Sequence, residues 1–173
     1  MNSIEELVCK FRQAIDLARA NKEFNYRDRF SKFPIGCCDD ACDLLGKYLY
    51  KNGIHTVQIQ GTFRDGNPEH NTGHAWLQLD DGGIIDITGD QFRYEELFLC
   101  FDESVYVGKK SKFHALFEID RIVANCDVDS DFRLKEIYEI IYKSFTFFLK
   151  DTFGFYSFFN IVAGLMCMIS RIL

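Results

Sequence analysis

The chain has 173 residues, a formal net charge of -6 and 47% apolar residues, and it contains 18 phenylalanines. This composition excludes an intrinsically disordered chain, and the length allows one domain with a sizeable core, alone or with an appendage. The acidic balance, without a cluster of lysines and arginines, argues against nucleic acid as a partner.

Seven cysteines are present, and two of them, Cys37 and Cys38, are adjacent in sequence. An odd count with adjacent cysteines does not fit a simple disulfide framework, so a reducing compartment is expected. The N-terminus lacks the apolar core of a signal peptide. We therefore expect a cytoplasmic protein.

The N-terminal third of the chain predicts two amphipathic helices joined by a loop. Ser3 and Glu6 have the spacing of a capping box for a helix over residues 3–21. Residues 22–36 are predicted to form a loop. The segment after them has apolar residues at helical spacing up to a stop signal at Gly53.

The middle of the chain predicts a small antiparallel sheet. Alternating apolar and polar residues indicate strands at His55–Phe63, His74–Leu79, Ile84–Thr88, Ser104–Val107 and Phe113–Ile119. The sequence DDGG between the second and third strands is a hairpin signal. The segment between the third and fourth strands, Gln91–Cys100, has no clear pattern.

The C-terminal part differs from the rest. Asp129–Lys150 predicts a long amphipathic helix, and Thr152–Ser170 contains no charged residue, which is a length at the threshold for a membrane-spanning helix. The interpretation we favour is a helix packed in the core or buried in an oligomer, and a membrane anchor or surface-lying helix is the alternative. We divide the chain into a first domain over 1–125 and a helical extension over 126–173.

The start of the second predicted helix carries two candidate nucleophiles. Cys37 and Cys38 fall in its first turn, where unpaired backbone N–H groups and the helix dipole stabilise a thiolate. Helical geometry puts them on opposite edges of the apolar face and does not choose between them. Asp39 and Asp40 follow, and their charge opposes a thiolate, so a cation must lie nearby.

A thiol nucleophile needs a base, and the base needs an acceptor that orients it. His74, at the start of a predicted strand, is the candidate base. Asp86 interrupts the apolar run IIDI on the next strand, and a carboxylate buried there requires a partner. The backbone N–H of the nucleophilic cysteine is the expected first donor of an oxyanion hole. The second donor has no assignment.

The hairpin decides whether His74 and Asp86 can meet. Side chains alternate faces along a strand, so the two share a face only if directly opposed residue numbers have an even sum. A three-residue loop over 80–82, with a glycine in the left-handed conformation, produces that register. Trp76 would then lie opposite Asp86, with His74 on the diagonal. A two-residue turn would separate base and acid and make Asp90 the next candidate.

Three motifs in this order, GCCDDACDLL, HAWLQL and GGIIDITGDQF, resemble the papain-like and transglutaminase-like cysteine enzyme superfamily. The likeness covers roughly residues 33–118 and is closest to small bacterial members. Lasso-peptide leader peptidases and papain-fold toxin domains are similar in the order of their motifs. The resemblance implies an α+β fold in which the nucleophile's helix packs on a small antiparallel sheet, with C-terminal helices added.

The resemblance also implies roles for individual residues. Cys38 is the expected nucleophile, His74 the base and Asp86 the orienting acid, with no metal and no cofactor. The oxyanion-hole glutamine of papain lies upstream of its cysteine. The only upstream glutamine here, Gln13, lies in the first helix and is not assigned.

The implied activity is cleavage of amide bonds through a thioester acyl-enzyme. We rank hydrolysis of a peptide or isopeptide bond in a protein or peptide substrate first. Deamidation or transglutamination of a protein glutamine comes second, and a non-catalytic binding domain on the same fold comes third. The triad serves all these reactions because the groove, and not the triad, sets the acceptor.

The same side chains also allow other roles. Zinc ligation is an alternative whose spacings match no common zinc finger, and it would use Cys37, Cys38, Cys42 and His74. Asp90 and Gln91 are interpreted as turn-capping residues. His114 lies inside the resembling stretch and is interpreted as structural before catalytic.

Overall fold

A computed structural model describes residues 3–145 of the chain. In this part of the chain the helices are α1 Ile4–Ala20, α2 Cys38–Lys51 and α3, over residues 132–145. The strands are β1 Thr56–Phe63, β2 Thr72–Leu79, β3 Ile84–Asp86, β4 Tyr106–Gly108 and β5 Phe117–Val123. They form one antiparallel sheet in the order β4-β3-β2-β1-β5. The predicted α+β class is confirmed.

The helix boundaries follow the capping signals of the sequence. The Ser3 hydroxyl accepts a hydrogen bond from the Glu6 N–H at 3.1 Å, and the Glu6 carboxylate accepts one from the Ser3 N–H at 3.2 Å. This is the predicted capping box at the start of α1. Helix α2 ends one residue before Asn52, and Gly53 follows at φ +78. α3 begins after Asp131, whose carboxylate accepts the N–H of Leu134 at 2.9 Å.

The prediction of the last strand was wrong in its first half. His114–Leu116 forms a 3₁₀ turn, because the Ser111 hydroxyl accepts the His114 N–H at 3.3 Å and draws the backbone into a turn. Strand β5 then runs over Phe117–Val123. Gln91–Cys100, which had no clear pattern, contains the end of one 3₁₀ turn and all of a second one.

The β2–β3 hairpin has the predicted register. Leu77 lies opposite Ile85, so opposed residue numbers have an even sum. The loop over 80–82 has three residues, and Gly82 takes the left-handed position at φ +82. A residue with a Cβ is strained in that conformation, which explains why glycine is needed there. The candidate base and acid therefore lie on the same face of the sheet.

The two faces of the sheet bury different groups. One face packs Ala75 and Leu77 against α1, α2 and α3, and the side chains of Leu134 and Ile137 on α3 belong to this same core. The other face carries an aromatic cluster, which consists mainly of Phe63, Trp76, Phe92, Phe98, Phe113 and Phe117. The proposed boundary between 125 and 126 stays a prediction.

The uncharged stretch Thr152–Ser170 and the end of the predicted Asp129–Lys150 helix lie outside the described residues. Within residues 3–145, none of the helices has the length and apolarity needed to cross a membrane. The packed helix that we favour for the C-terminal stretch, and the membrane contact that is its alternative, both stay predictions.

A buried ion pair fastens α1 to the segment after β3. The Arg12 guanidinium donates to both carboxylate oxygens of Asp90 at 2.9 Å. The same group also donates to the backbone carbonyls of Ile87 at 2.7 Å and Ser104 at 2.8 Å. Bidentate pairing of this kind fixes orientation as well as distance. Asp90 is thus an ion-pair partner of α1, and its prediction as a turn cap was wrong because Arg12 lies 78 residues away in sequence.

Replacing Arg12 with methionine should lower the free energy of unfolding by about 3 kcal/mol, because two carbonyls lose their donor and the buried Asp90 carboxylate keeps only the partly exposed Arg93 as its cation. Urea unfolding measures this difference. The exposed Lys10→Met variant on the same helix is the control and should stay within about 0.5 kcal/mol of the unmodified chain. Equal stability of the Arg12 and Lys10 variants would contradict the structural role of the pair.

Candidate active site

The structure separates the two adjacent cysteines. Cys37 is the N-cap residue of α2, and its buried thiol donates to the backbone carbonyl of Ile35 at 3.5 Å. Burial, followed by the charge of Asp40, raises the pKa of Cys37 to about 12. Cys38 is the first residue of α2 and is partly exposed. Of the two thiols, Cys38 is the one that is partly open to solvent and lies beside His74.

Cys38, His74 and Asp86 form a continuous chain of contacts. The Cys38 thiol lies close enough to the His74 ring to raise the pKa of that ring, through a hydrogen-bonding interaction and through its charge. The other side of that ring places Nε2 2.8 Å from Asp86 Oδ2. Because Nε2 is occupied by the carboxylate, Nδ1 is the nitrogen that remains for the thiol. The structure thus brings together all three residues that the sequence predicts.

The His74 ring sits inside the aromatic cluster. Its centroid lies 5.2 Å from that of Phe92 and 5.4 Å from that of Phe117. Gly61 is its partner on β1, and a Cβ at that position would lie 3.0 Å from the Phe117 Cβ. The glycine therefore lets the phenylalanine ring close over the histidine. Packing on all sides holds the imidazole in one orientation.

The Asp86 carboxylate accepts hydrogen bonds from two further residues. Its Oδ1 accepts from the Thr88 N–H at 2.8 Å and from the Thr88 hydroxyl at 3.2 Å. Its Oδ2 lies 3.2 Å from Nε2 of His114, which is itself held by the Ser111 hydroxyl 2.8 Å from Nδ1. Burial raises the pKa of Asp86, but the two histidines outweigh burial and hold that pKa well below its usual range.

His114 belongs to the site, although the sequence favoured a structural role for it over a catalytic one. The only sequence signal was its position inside the stretch that resembles the cysteine enzymes. Its contact with Asp86 spans 28 residues and depends on the 3₁₀ turn before β5. No local pattern predicts such a contact.

The pKa of His74 is raised to about 9. Burial of the ring acts in the opposite direction, but the charge and hydrogen bond of Asp86, together with Cys38, outweigh it. An imidazolium beside Cys38 is the cation that the thiolate requires. Asp39, the nearer of the two acidic neighbours in sequence, is engaged by the amide of Gln58 at 2.9 Å.

Gln91 also reaches the site. Its Oε1 accepts the Gly36 N–H at 3.2 Å, and its Nε2 donates to the Thr88 carbonyl at 3.0 Å. The same Nε2 lies 3.4 Å from His74 Nδ1. The contact with Thr88 matches the predicted role within the turn, but the contacts with Gly36 and His74 were not predicted.

Within residues 3–145, no group of three or more histidine, cysteine or acidic side chains is arranged to hold a metal ion. The four-residue zinc alternative therefore has no support in this part of the chain. No protein-family model matches the chain, and neither a curated protein nor a solved structure matches it. Assignment to the cysteine enzyme superfamily therefore stays a prediction from the sequence motifs.

The raised pKa of His74 predicts a pH dependence of stability. The folded state keeps the His74 proton up to about pH 9, whereas an unfolded histidine loses it near 6.5, so this contribution is complete below 6.5 and is lost as the pH rises through 9. Between these values the free energy of unfolding should fall more steeply for the unmodified chain than for His74→Gln. Urea titrations at several pH values between 6.5 and 9 measure this free energy of unfolding.

The matched control is His55→Gln, which changes an exposed histidine. Its pH dependence should parallel that of the unmodified chain. Parallel curves for His74→Gln as well would contradict a charged, stabilising His74.

Proposed function

We propose that this protein is a cysteine-dependent hydrolase of amide bonds in a protein or peptide substrate, built on a papain/transglutaminase-like core. The observation that carries the proposal is the chain from the Cys38 thiol through the His74 imidazole to the Asp86 carboxylate, with the thiol at a helix start. This set of groups supports nucleophilic catalysis, because each member activates or orients the one before it.

The reaction follows from the placement of the protons. The proton is already held on Nδ1 of His74, so the sulfur of Cys38 attacks the carbonyl carbon as a thiolate and forms a C–S bond. The tetrahedral intermediate collapses, the C–N bond breaks, and Nδ1 returns the proton to the leaving amine. Water then attacks the thioester, gives a proton to Nδ1, and the C–S bond breaks to release a carboxylic acid and Cys38.

Asp86 keeps the ring oriented throughout this cycle. Its carboxylate holds Nε2–H, so Nδ1 is always the nitrogen that gives and takes the proton. The four hydrogen bonds to this carboxylate stabilise its charged form. A charged Asp86 in turn stabilises the imidazolium.

Water is the proposed acceptor because Cys38 is partly exposed. An acyl group on this sulfur is open to solvent, whereas transfer to an amine in preference to water requires that water be excluded. Deamidation of a protein glutamine is also a hydrolysis and would use the same steps, with ammonia as the leaving group. A cytoplasmic location belongs to this proposal, and the cysteines within residues 3–145 are free thiols.

Iodoacetamide should alkylate Cys38 before the other cysteines, because the imidazolium beside it stabilises the thiolate. His74→Ala should slow this alkylation roughly tenfold. Peptide mapping by mass spectrometry follows each cysteine separately. His55→Ala and Cys9→Ala are the matched controls and should leave the rate at Cys38 unchanged.

Faster labelling of Cys37 than of Cys38 would show that Cys38 is the wrong choice of nucleophile. Slow and uniform labelling of all cysteines would remove the activated thiol and, with it, the proposed function. Mass spectrometry of candidate protein substrates after incubation then separates the reaction classes, because a cut chain, a deamidated glutamine and an amine adduct have different masses.

A further inference from the structure

We propose that the side-chain amide of Gln91 is the second donor of the oxyanion hole, beside the backbone N–H of Cys38. This inference rests on the proposed function and adds a catalytic residue to it. The first donor follows from helix geometry, since the N–H groups of the first turn of α2 have no partner within the helix and Cys37 offers no side-chain cap.

The orientation of the Gln91 amide is determined by its neighbours. Gly36 presents an N–H to it, and Thr88 presents a carbonyl. If the amide were rotated by half a turn, Nε2 would face the N–H donor and Oε1 would face the carbonyl acceptor, so both hydrogen bonds would be lost. The oxygen therefore points to Gly36, and the NH₂ group points toward Thr88 and His74.

One of the two hydrogens on Nε2 is left for the reaction centre. The first is used by the Thr88 carbonyl at 3.0 Å. The second faces His74 Nδ1, at the longer distance of 3.4 Å. When Nδ1 carries a proton it has no lone pair to accept this hydrogen. With His74 as the imidazolium, one N–H of Gln91 is therefore free when the sulfur attacks.

Two independent observations place the free N–H of Gln91 near the Cys38 thiol. The Cys38 thiol and the Gln91 amide both contact the His74 ring, the first by a hydrogen bond and the second at Nδ1. Gln91 also binds Gly36, which lies two residues before Cys38. A substrate carbonyl attacked by this sulfur places its oxygen next to the helix start, within the space between the two donors.

The turn that carries Gln91 is held rigidly. The neighbouring Asp90 is paired with Arg12 on α1, and Thr88 at the start of the turn donates to Asp86. The donor therefore does not have to reorganise when negative charge develops on the substrate oxygen, which is the condition for strong stabilisation. During the reaction Gln91 neither gains nor loses a proton.

The test compares a reaction that forms an oxyanion with one that does not. Acylation of Cys38 by p-nitrophenyl acetate passes through a tetrahedral oxyanion. The burst of nitrophenolate release measures its rate. Alkylation of the same sulfur by iodoacetamide displaces iodide at a saturated carbon and needs no oxyanion hole. The variants are Gln91→Ala and Gln91→Met, of which the second keeps the length of the side chain without its N–H groups. Gln13→Ala, an exposed glutamine on α1, is the matched control.

Both Gln91 variants should lower the acylation rate about 10²-fold, as expected for one oxyanion donor. The alkylation rate should change by less than about twofold, because the thiolate and its imidazolium remain in place. Gln13→Ala should leave both rates unchanged. The Gln91→Met variant keeps the test valid if the shorter alanine variant fails to fold, which thermal unfolding reveals.

The remaining outcomes overturn the assignment in distinguishable ways. Equal losses in acylation and alkylation would make Gln91 a positioning residue for His74. Unchanged acylation would leave it without a role in the reaction. If the unmodified chain itself shows neither a burst nor fast alkylation at Cys38, the proposed function fails and Gln91 fails with it.

Discussion

The buried carboxylate of Asp86 is the constraint on which the rest of this structure depends. An ionised carboxylate loses several kcal/mol of solvation when it is removed from water, and the protein must replace the lost water with donors. Those donors come from three segments, namely His74 on β2, Thr88 after β3 and His114 before β5. The fold therefore has to bring these segments to one point on the sheet.

Satisfying Asp86 also creates the electrostatics of the site. A carboxylate that accepts four hydrogen bonds stays charged, and its charge holds His74 as an imidazolium within an aromatic cluster that would otherwise favour the neutral ring. The charge on Asp86 thus stabilises the imidazolium that lies beside Cys38. Of Cys38, His74 and Asp86, only Cys38 is partly exposed.

A second buried ion pair, between Arg12 and Asp90, supports the first from the other side of the same turn. It connects α1 to the segment that also carries Thr88 and Gln91. The turn after β3 is thereby held at both ends, by Asp86 and by Arg12. A polar network of this kind specifies one arrangement only when each of its members has partners, because an unpaired group in a low-dielectric interior is costly.

The sequence by itself determined those features that depend on neighbours along the chain. Alternation and turn chemistry sufficed for the β2–β3 register, the left-handed Gly82 and thus a common face for His74 and Asp86. Helical spacing sufficed for the start of α2 but could not choose between its two cysteines. That choice depends on which thiol meets the ring of His74, and only the packed structure determines it. The same holds for three contacts between distant segments, which span 28, 55 and 78 residues and join His114 to Asp86, Gly36 to Gln91 and Arg12 to Asp90. Each forms because burial leaves a polar group without water and the fold brings a partner to it, a requirement that acts in space and leaves no periodic pattern in the chain.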